Sequence, residues 1–227
     1  TGRDYTACNA RFAFMDATYT FSVPKKQMVS GGFDILSHIM ETYFSTCDDE
    51  NVSDDISEAL MRGVIRDLRA SIQNPEDYSA RSNLMWESTM AENRIIKLGK
   101  KCDFQCHQME HQLGAYTNCN HGEGLAVLHP VYYRHIYQYG LKKFVRFATR
   151  VWGISPEGKT EQEIALAGVE ALADFIKEIG LPSTLHELGI NDKSILKEIA
   201  DSCNISIGSY KKMTHQEIFT IFEECFE

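Results

Sequence analysis

The sequence predicts an all-α protein with a short strand remnant near its N-terminus. Apolar residues recur at helical spacing over most of the 227 residues. Two helix-start signatures, Thr160-x-x-Glu163 and Thr214-x-x-Glu217, are capping boxes, each followed by an apolar helical pattern. The alternation typical of a strand is convincing only once, in RFAFMDATYTFSV at residues 11–23.

The first half of the chain predicts five helices in order after Pro24. Ser30 is a candidate cap for the first of them. Apolar spacing over residues 56–68 predicts the second, which stops before Asn74-Pro75 because a residue before proline disfavours the helical conformation. A third carries apolar residues from Leu84 to Ile96. Two histidine-rich segments, beginning near residues 105 and 121, supply the fourth and fifth.

The second half has clearer helix boundaries. The helix that starts at Thr160 is terminated by Gly180-Leu-Pro182. Asn191 or Asp192 can cap a helix through Ile195, and Thr214 starts the last one. No repeat and no Pro/Ser-rich linker interrupts this pattern. We therefore expect one helical domain at 30–227, preceded at 1–29 by the remnant of an α/β nucleotide-binding domain.

Composition excludes several classes of partner. The chain has 43% hydrophobic and 24% charged residues, as ordinary globular proteins do. A formal charge of −9 argues against nucleic acid and anionic membranes, because both require a basic surface. No stretch approaches the roughly 18 apolar residues of a membrane span. Seven cysteines without a CxxC pair predict reduced thiols and a cytoplasmic protein.

Two segments carry candidate metal ligands. In GGFDILSHIMETYF, Asp34 and His38 are four residues apart and share one helical face. His107 lies in the next histidine-rich helix, and His121 stands in a loop just before the following one. One carboxylate and three imidazoles suit iron(II), zinc, manganese or cobalt. We interpret the four residues as a catalytic metal centre that only the folded domain assembles.

These motifs resemble those of the iron-containing (group III) alcohol dehydrogenases, in particular their butanol dehydrogenase-like branch. The matching segments cover nearly the whole chain and are FMDATYTFSVP, GGFDILSHIMETYF, NLMWEST, the H-x3-H-x9-H run from His107 through His111 to His121, and SYKKMTHQEIFTIFEECF. The resemblance implies the all-α C-terminal domain of the dehydroquinate synthase-like fold. It also implies that Asp34, His38, His107 and His121 hold the metal.

The same resemblance implies a reaction and its cofactors. The family interconverts primary alcohols and aldehydes by hydride transfer to or from NAD(P), with Fe2+ as the metal; Zn2+ also suits the ligand set. Members begin with a nucleotide-binding domain whose glycine-rich loop holds the cofactor, and this chain contains no such loop. We therefore expect the metal-binding half of such an enzyme, inactive alone, with a small alcohol or aldehyde as substrate and a homo-oligomer as a possible assembly.

Two alternatives remain open from the sequence. His107-x-x-Glu110-His111 matches a zinc metallopeptidase signature, in which Glu110 activates water. The other alternative is a helical module that binds metal without catalysis. If His121 rather than His111 joins His107, then His111 is free to border the substrate and relay a proton, or to pack beside the ligands. Glu41, three residues after His38, is expected to support a ligand rather than bind the ion.

Overall fold

A computed structural model describes residues 6–46 and 49–227 and confirms the all-α fold. Nine α-helices lie within these residues. Their bounds are α1 Lys25–Tyr43, α2 Val52–Gln73, α3 Tyr78–Glu92, α4 Gln105–Thr117, α5 His121–Ile136, α6 Leu141–Arg146, α7 Glu161–Glu178, α8 Leu196–Ser202 and α9 His215–Glu224. The described residues form no sheet, and their one β-bridge joins Thr46 to Lys101.

Helix α1 is the centre of the domain. It packs against α2, α3 and α5, while α4 packs against α5 and α8. Side chains such as Phe33, Leu36 and Met40 are fully buried on its inner side. Gly32 lets α2 approach, because a Cβ there would lie 2.6 Å from a methyl group of Leu68. The opposite side of α1 is left partly open.

The predicted strand at residues 11–23 is wrong. Residues 11–16 have no regular structure, and Asp16 accepts a hydrogen bond from the Thr18 backbone N–H at the start of a 3₁₀ turn, Ala17–Thr20. The aromatic residues that produced the alternation are exposed, Phe14 at 98%. A strand is stable only when paired and covered, and the described part of the chain offers no neighbouring strand.

Two helix boundaries also differ from the prediction. Helix α1 begins at Lys25, directly after Pro24, and Ser30 is buried inside it rather than capping it. Proline can precede a helix at no cost because its missing N–H would have no partner in the first turn. Helix α3 ends at Glu92. Arg94, two residues later, adopts a φ of 73°, and Ile95–Lys97 forms a separate 3₁₀ turn. The domain division expected at residue 30 falls inside α1 and stays a prediction.

The other helix signals are confirmed. Thr160 and Thr214 each form a capping box with the glutamate three residues later. Gly180 follows the end of α7 with a φ of 80°, as a helix-terminating glycine does. Asp192 accepts a hydrogen bond from the Ser194 backbone N–H ahead of α8. The six cysteines in the described part of the chain are all free thiols. No helix in the same residues is long and apolar enough to cross a membrane.

Candidate metal centre

Asp34 and His38 lie on the partly open side of α1. They are one turn apart, and His38 Nε2 lies 3.5 Å from Asp34 Oδ1. Both side chains are partly exposed because the residues between them, Leu36 and Ser37, are buried in the core. The helical period therefore fixes which two polar groups face outward together.

Helices α4 and α5 bring the other two histidines to the same point. His107 Nε2 lies 3.7 Å from Asp34 Oδ1 and 3.3 Å from His38 Nε2. His121 Nε2 lies 3.5 Å from Asp34 Oδ1. His121 was expected in a loop, but it is the first residue of α5, which Asn120 caps by accepting from the Glu123 N–H. All four predicted ligands thus meet at one place.

The four residues do not meet equally closely. Ligand atoms of Asp34, His107 and His121 lie within 4.8 Å of one another, and His38 stands beside this set. Asp34 Oδ1 is buried and accepts no hydrogen bond, although it lies 3.5–3.7 Å from the Nε2 atom of each of the three imidazoles. A buried carboxylate oxygen without a donor is costly unless a proton or a cation satisfies it.

Each imidazole has a carboxylate behind it. His107 Nδ1 contacts Glu41, and His121 Nδ1 contacts Glu110. His38 Nδ1 lies 2.7 Å from Glu92 Oε1. The hydrogen bonds of His107 and His121 fix the ring orientation and leave the lone pair on Nε2, which is how metal-binding histidines are commonly held. Glu92 lies within ion-pairing distance of His38 Nδ1 but does not form a hydrogen bond with it.

Glu41 was expected to play this supporting part, whereas Glu92 was missed and Glu110 was considered only as a peptidase base. Glu92 belongs to no ligand-bearing motif, and it is the last residue of α3. No local pattern in the sequence indicates its contact with His38, because the two residues lie on separate helices.

The electrostatics of the cluster favour positive charge at its centre. Burial opposes protonation of His107, but Glu41 and Asp34 outweigh it and raise the pKa of this imidazole to about 10. Burial likewise opposes the charge on His121, and Glu110 and Asp34 raise its pKa. For Asp34, burial favours the neutral acid, yet the three histidines lower its pKa overall. The positive charge can be carried by protons or by a metal ion.

His111 lies at the rim of the cluster. It is exposed and one turn after His107, with its ring centroid 6.0 Å from that of His107 and 5.5 Å from that of His121. Partial burial and the two neighbouring imidazoles lower its pKa. One nitrogen of His111 comes within 4.8 Å of ligand atoms of Glu110 and His121, but His111 does not belong to the set around Asp34.

Gly122 sets the distance between α5 and α1. A Cβ at this position would lie 2.7 Å from the Ser30 carbonyl carbon and closer still to its oxygen. Only glycine allows this backbone contact, which holds the start of α5, and with it His121, against α1.

An apolar groove of about 370 Å³ lies between α1 and α3. Ile35, the residue after Asp34, lines it, and so does Ser88, one turn before Glu92. Val23, Met28, Leu84 and Met85 are among its other lining residues, as is Arg81.

Several known proteins are similar to this chain in sequence and in fold. NADH-dependent butanol dehydrogenase A of Clostridium acetobutylicum is 38% identical over 220 residues, which cover 95% of this chain and 56% of that protein. The NADPH-dependent aldehyde reductase YqhD of Escherichia coli is 29% identical over 93% of this chain and 55% of its own length. The crystal structure of NADH-dependent butanol dehydrogenase A from Thermotoga maritima superposes with a TM-score of 0.87 at 30% identity, covering 93% of this chain and 55% of that one.

The chain spans about half the length of these relatives. The profile of the Fe-containing alcohol dehydrogenase family, C-terminal, matches residues 28–226, which include the whole cluster. The chain therefore belongs to the Fe-containing alcohol dehydrogenase family and corresponds to its C-terminal domain.

Proposed function

We propose that this chain is the metal-binding half of an NAD(P)-dependent alcohol dehydrogenase that interconverts primary alcohols and aldehydes. In this proposal Asp34, His38, His107 and His121 hold a divalent ion, Fe2+ by family and Zn2+ as an alternative. The observation that carries it is the convergence of three imidazole Nε2 atoms on Asp34 Oδ1, a buried oxygen without a hydrogen-bond donor.

The donor set fits a divalent cation. With carboxylates behind the three Nδ1 atoms, neutral imidazoles direct lone pairs toward Asp34, and such an arrangement is repulsive without positive charge between them. Burial favours the neutral form of Glu41, but the neighbouring His107 outweighs burial and lowers the pKa of this carboxyl. Burial also favours the neutral form of Glu92, and His38 lowers the pKa of that carboxyl. Because Lys97 is paired with Glu92, the negative charge that a divalent ion would offset is that of Asp34 and Glu41. One carboxylate with three imidazoles suits Fe2+ and Zn2+.

When bound, the ion would supply Lewis-acid polarisation of an alcohol or carbonyl oxygen. The chain's own residues would orient the reactants and handle the proton. Glu41 and Glu110 hold the rings of His107 and His121 by hydrogen bonds, and Glu92 lies beside His38 Nδ1. His111, whose lowered pKa favours the neutral imidazole, is placed to accept the hydroxyl proton of an alcohol at the rim. The apolar groove between α1 and α3 would receive the hydrocarbon part of the substrate.

The nicotinamide would come from a nucleotide-binding domain outside these 227 residues. The relatives are named as NADH-dependent butanol dehydrogenases and an NADPH-dependent aldehyde reductase, so both cofactors occur among similar proteins. We propose the same reaction class here, carried out in the cytoplasm.

The peptidase alternative is less well supported by the geometry. It requires His107 and His111 to share an ion while Glu110 is free to activate water. Glu110 instead contacts His121 Nδ1, and the ligand atoms grouped around Asp34 belong to His107 and His121. A non-catalytic metal-binding module would have the same ligands, so only an activity assay distinguishes it from a dehydrogenase.

A chimera tests the proposal. The chain would be joined in cis to the nucleotide-binding half of the Clostridium acetobutylicum butanol dehydrogenase, loaded with Fe2+ or Zn2+, and assayed for NADH oxidation with butyraldehyde. We expect activity that Asp34→Ala abolishes. A folded, metal-loaded chimera without NADH oxidation would favour the non-catalytic module. Peptide hydrolysis that depends on Glu110 would favour the peptidase.

A further inference from the structure

His38, Glu92, Lys97 and Phe104 form a closed ring of contacts. Glu92 Oε1 lies 2.7 Å from His38 Nδ1. Lys97 Nζ lies 3.2 and 3.3 Å from the two oxygens of Glu92. The same ammonium lies 4.8 Å from the centre of the Phe104 ring, and that ring lies 5.9 Å from the His38 ring. His38 therefore has the Glu92 carboxylate within ion-pairing distance of Nδ1 and the Phe104 ring tilted beside it.

This support differs from that of the other two histidines. His107 and its carboxylate Glu41 are both buried, with side-chain exposures of 4% and 0%. Glu110, behind His121, is 2% exposed, whereas Glu92 is 50% exposed. Glu92 is also the last residue of α3 rather than part of a helix interior. Of the three carboxylates, only Glu92 depends on a second side chain at the surface, Lys97, for its position.

His38 is also the least tightly grouped of the four proposed ligands. It lies next to Asp34 and His107, but it stands outside the set whose ligand atoms all approach within 4.8 Å. His38 is therefore the proposed ligand whose placement depends most on contacts outside the group.

We infer that Glu92, held by Lys97, is a positioning residue that keeps His38 turned toward the ion and so controls how fast the metal leaves. The inference rests on the proposed metal site. Lys97 acts through Glu92 by ion pairing and fixes the turn Ile95–Lys97 against Phe104 by a cation–π contact. Neither residue touches the ion. Their effect is on the orientation of one imidazole.

The test measures dissociation of a known ion from the 227-residue chain. The chain is loaded with Zn2+, excess EDTA is added, and residual Zn2+ is followed in samples desalted at intervals. Removing a carboxylate that supports a metal-binding histidine commonly costs about 10–100-fold in affinity. We expect Glu92→Ala to accelerate release by about 10–100-fold on that ground. Glu92→Gln keeps an acceptor for Nδ1 and should retain most of the slow release, and Lys97→Met should fall between the two.

The matched control is Glu178→Ala. Glu178 is a half-exposed carboxylate paired with Arg69 at 2.6 Å, between α2 and α7, neither of which carries a ligand. The Glu178→Ala variant should release Zn2+ at the same rate as the parent chain. The visible absorption of the Co2+-loaded chain gives a second readout, because it reports the ligand geometry. It should change in Glu92→Ala and stay unchanged in Glu178→Ala, whereas a purely structural loss would lower only thermal stability.

Parent-like release and an unchanged Co2+ spectrum in Glu92→Ala would overturn the inference and leave the metal site intact. Equal acceleration in Glu92→Gln and Glu92→Ala would overturn the positioning role, because an acceptor would then be insufficient. A parent chain that binds neither Zn2+ nor Co2+ would overturn the proposed function itself. The two failures are thus distinguishable.

Discussion

Glu41 on α1 and His107 on α4 form a buried pair in which one carboxylate has two tasks. Glu41 Oε1 accepts from the Cys106 backbone N–H at 2.7 Å, and Oε2 accepts from the His107 N–H at 3.1 Å. Phe104, the N-cap residue of α4, provides no side-chain hydrogen bond. Glu41 therefore caps α4 from another helix and, through Nδ1, also orients the His107 ring.

We expect Glu41→Ala to lower the free energy of unfolding by about 2–4 kcal/mol, because it leaves buried donors without an acceptor. Glu41→Gln should cost less, since its amide oxygen can still accept one of them. The measurement is urea unfolding of the metal-free chain. Glu170→Gln, which alters an exposed pair with Arg134, is the control and should change stability little. Equal stability of Glu41→Ala and the parent would contradict the capping role.

Gly122 and Gly31 offer a matched pair of substitutions near the site. Gly122→Ala places a methyl group against the Ser30 backbone carbonyl, so α5 must move away from α1 and carry His121 with it. We expect weaker Zn2+ binding in titration calorimetry and lower stability. Gly31→Ala meets nothing within 4 Å on α1 and should leave binding unchanged while stabilising the helix by up to about 1 kcal/mol. The same Zn2+ affinity in both variants would show that the close approach does not position His121.

Glu87 predicts a pH dependence away from the metal site. Burial, and then the neighbouring Asp67, raise the pKa of its carboxyl from 4.5 to about 8. The folded chain therefore binds more protons than the unfolded chain between these values. The contribution of Glu87 to the free energy of unfolding is fully present below pH 4.5 and is lost as the pH rises through 8. The free energy of unfolding falls by up to about 1.4 kcal/mol per pH unit over this range.

Glu87→Gln should remove this part of the pH dependence. We expect the variant to match the parent near pH 4.5 and to exceed it in stability at pH 8, measured by urea unfolding across that range. Only the difference between the two proteins is interpreted, because other groups titrate as well. Parallel curves for the variant and the parent would exclude a protonated Glu87 in the folded state.

The distinction between His111 and His121 gives a further prediction. His121→Ala should abolish tight Zn2+ binding, whereas His111→Ala should retain it, because His121 Nε2 lies 3.5 Å from Asp34 Oδ1 and His111 does not belong to the set around that atom. In an active chimera His111→Ala should lower turnover more than metal content. Metal content is measured by atomic emission on the purified chains. A loss of Zn2+ in His111→Ala equal to that in His107→Ala would revive the peptidase interpretation.

Local sequence signals predicted most of the fold. The capping boxes at Thr160 and Thr214 and the spacing of Asp34 and His38 depend only on residues within one or two turns, and the structure contains them as expected. The alternation at residues 11–23 failed because strand formation depends on partners elsewhere in the chain. The start of α1 was misplaced because Ser30 has the chemistry of a cap but lies within a run already helical from Lys25.

The supporting carboxylates were harder to predict than the ligands. Glu41 and Glu110 lie within ligand-bearing motifs, but each contacts a histidine on another helix, His107 and His121 respectively, so helical periodicity alone does not predict either contact. Glu92 reaches His38 only because α3 ends there, and that contact spans 54 residues of sequence between separate helices. Tertiary packing, rather than any local pattern, places it. Contacts between glycines and other helices, such as that of Gly122 with Ser30, cannot be predicted from the sequence for the same reason.

The most direct measurement is a crystal structure of the Zn2+-loaded chain with anomalous differences recorded at the zinc edge. We predict one anomalous peak within about 2.0–2.3 Å of Asp34 Oδ1 and of the Nε2 atoms of His38, His107 and His121. His111 should remain outside that distance. A peak bound by His107 and His111 with His121 excluded, or no peak at the cluster despite excess Zn2+, would contradict the proposed metal centre.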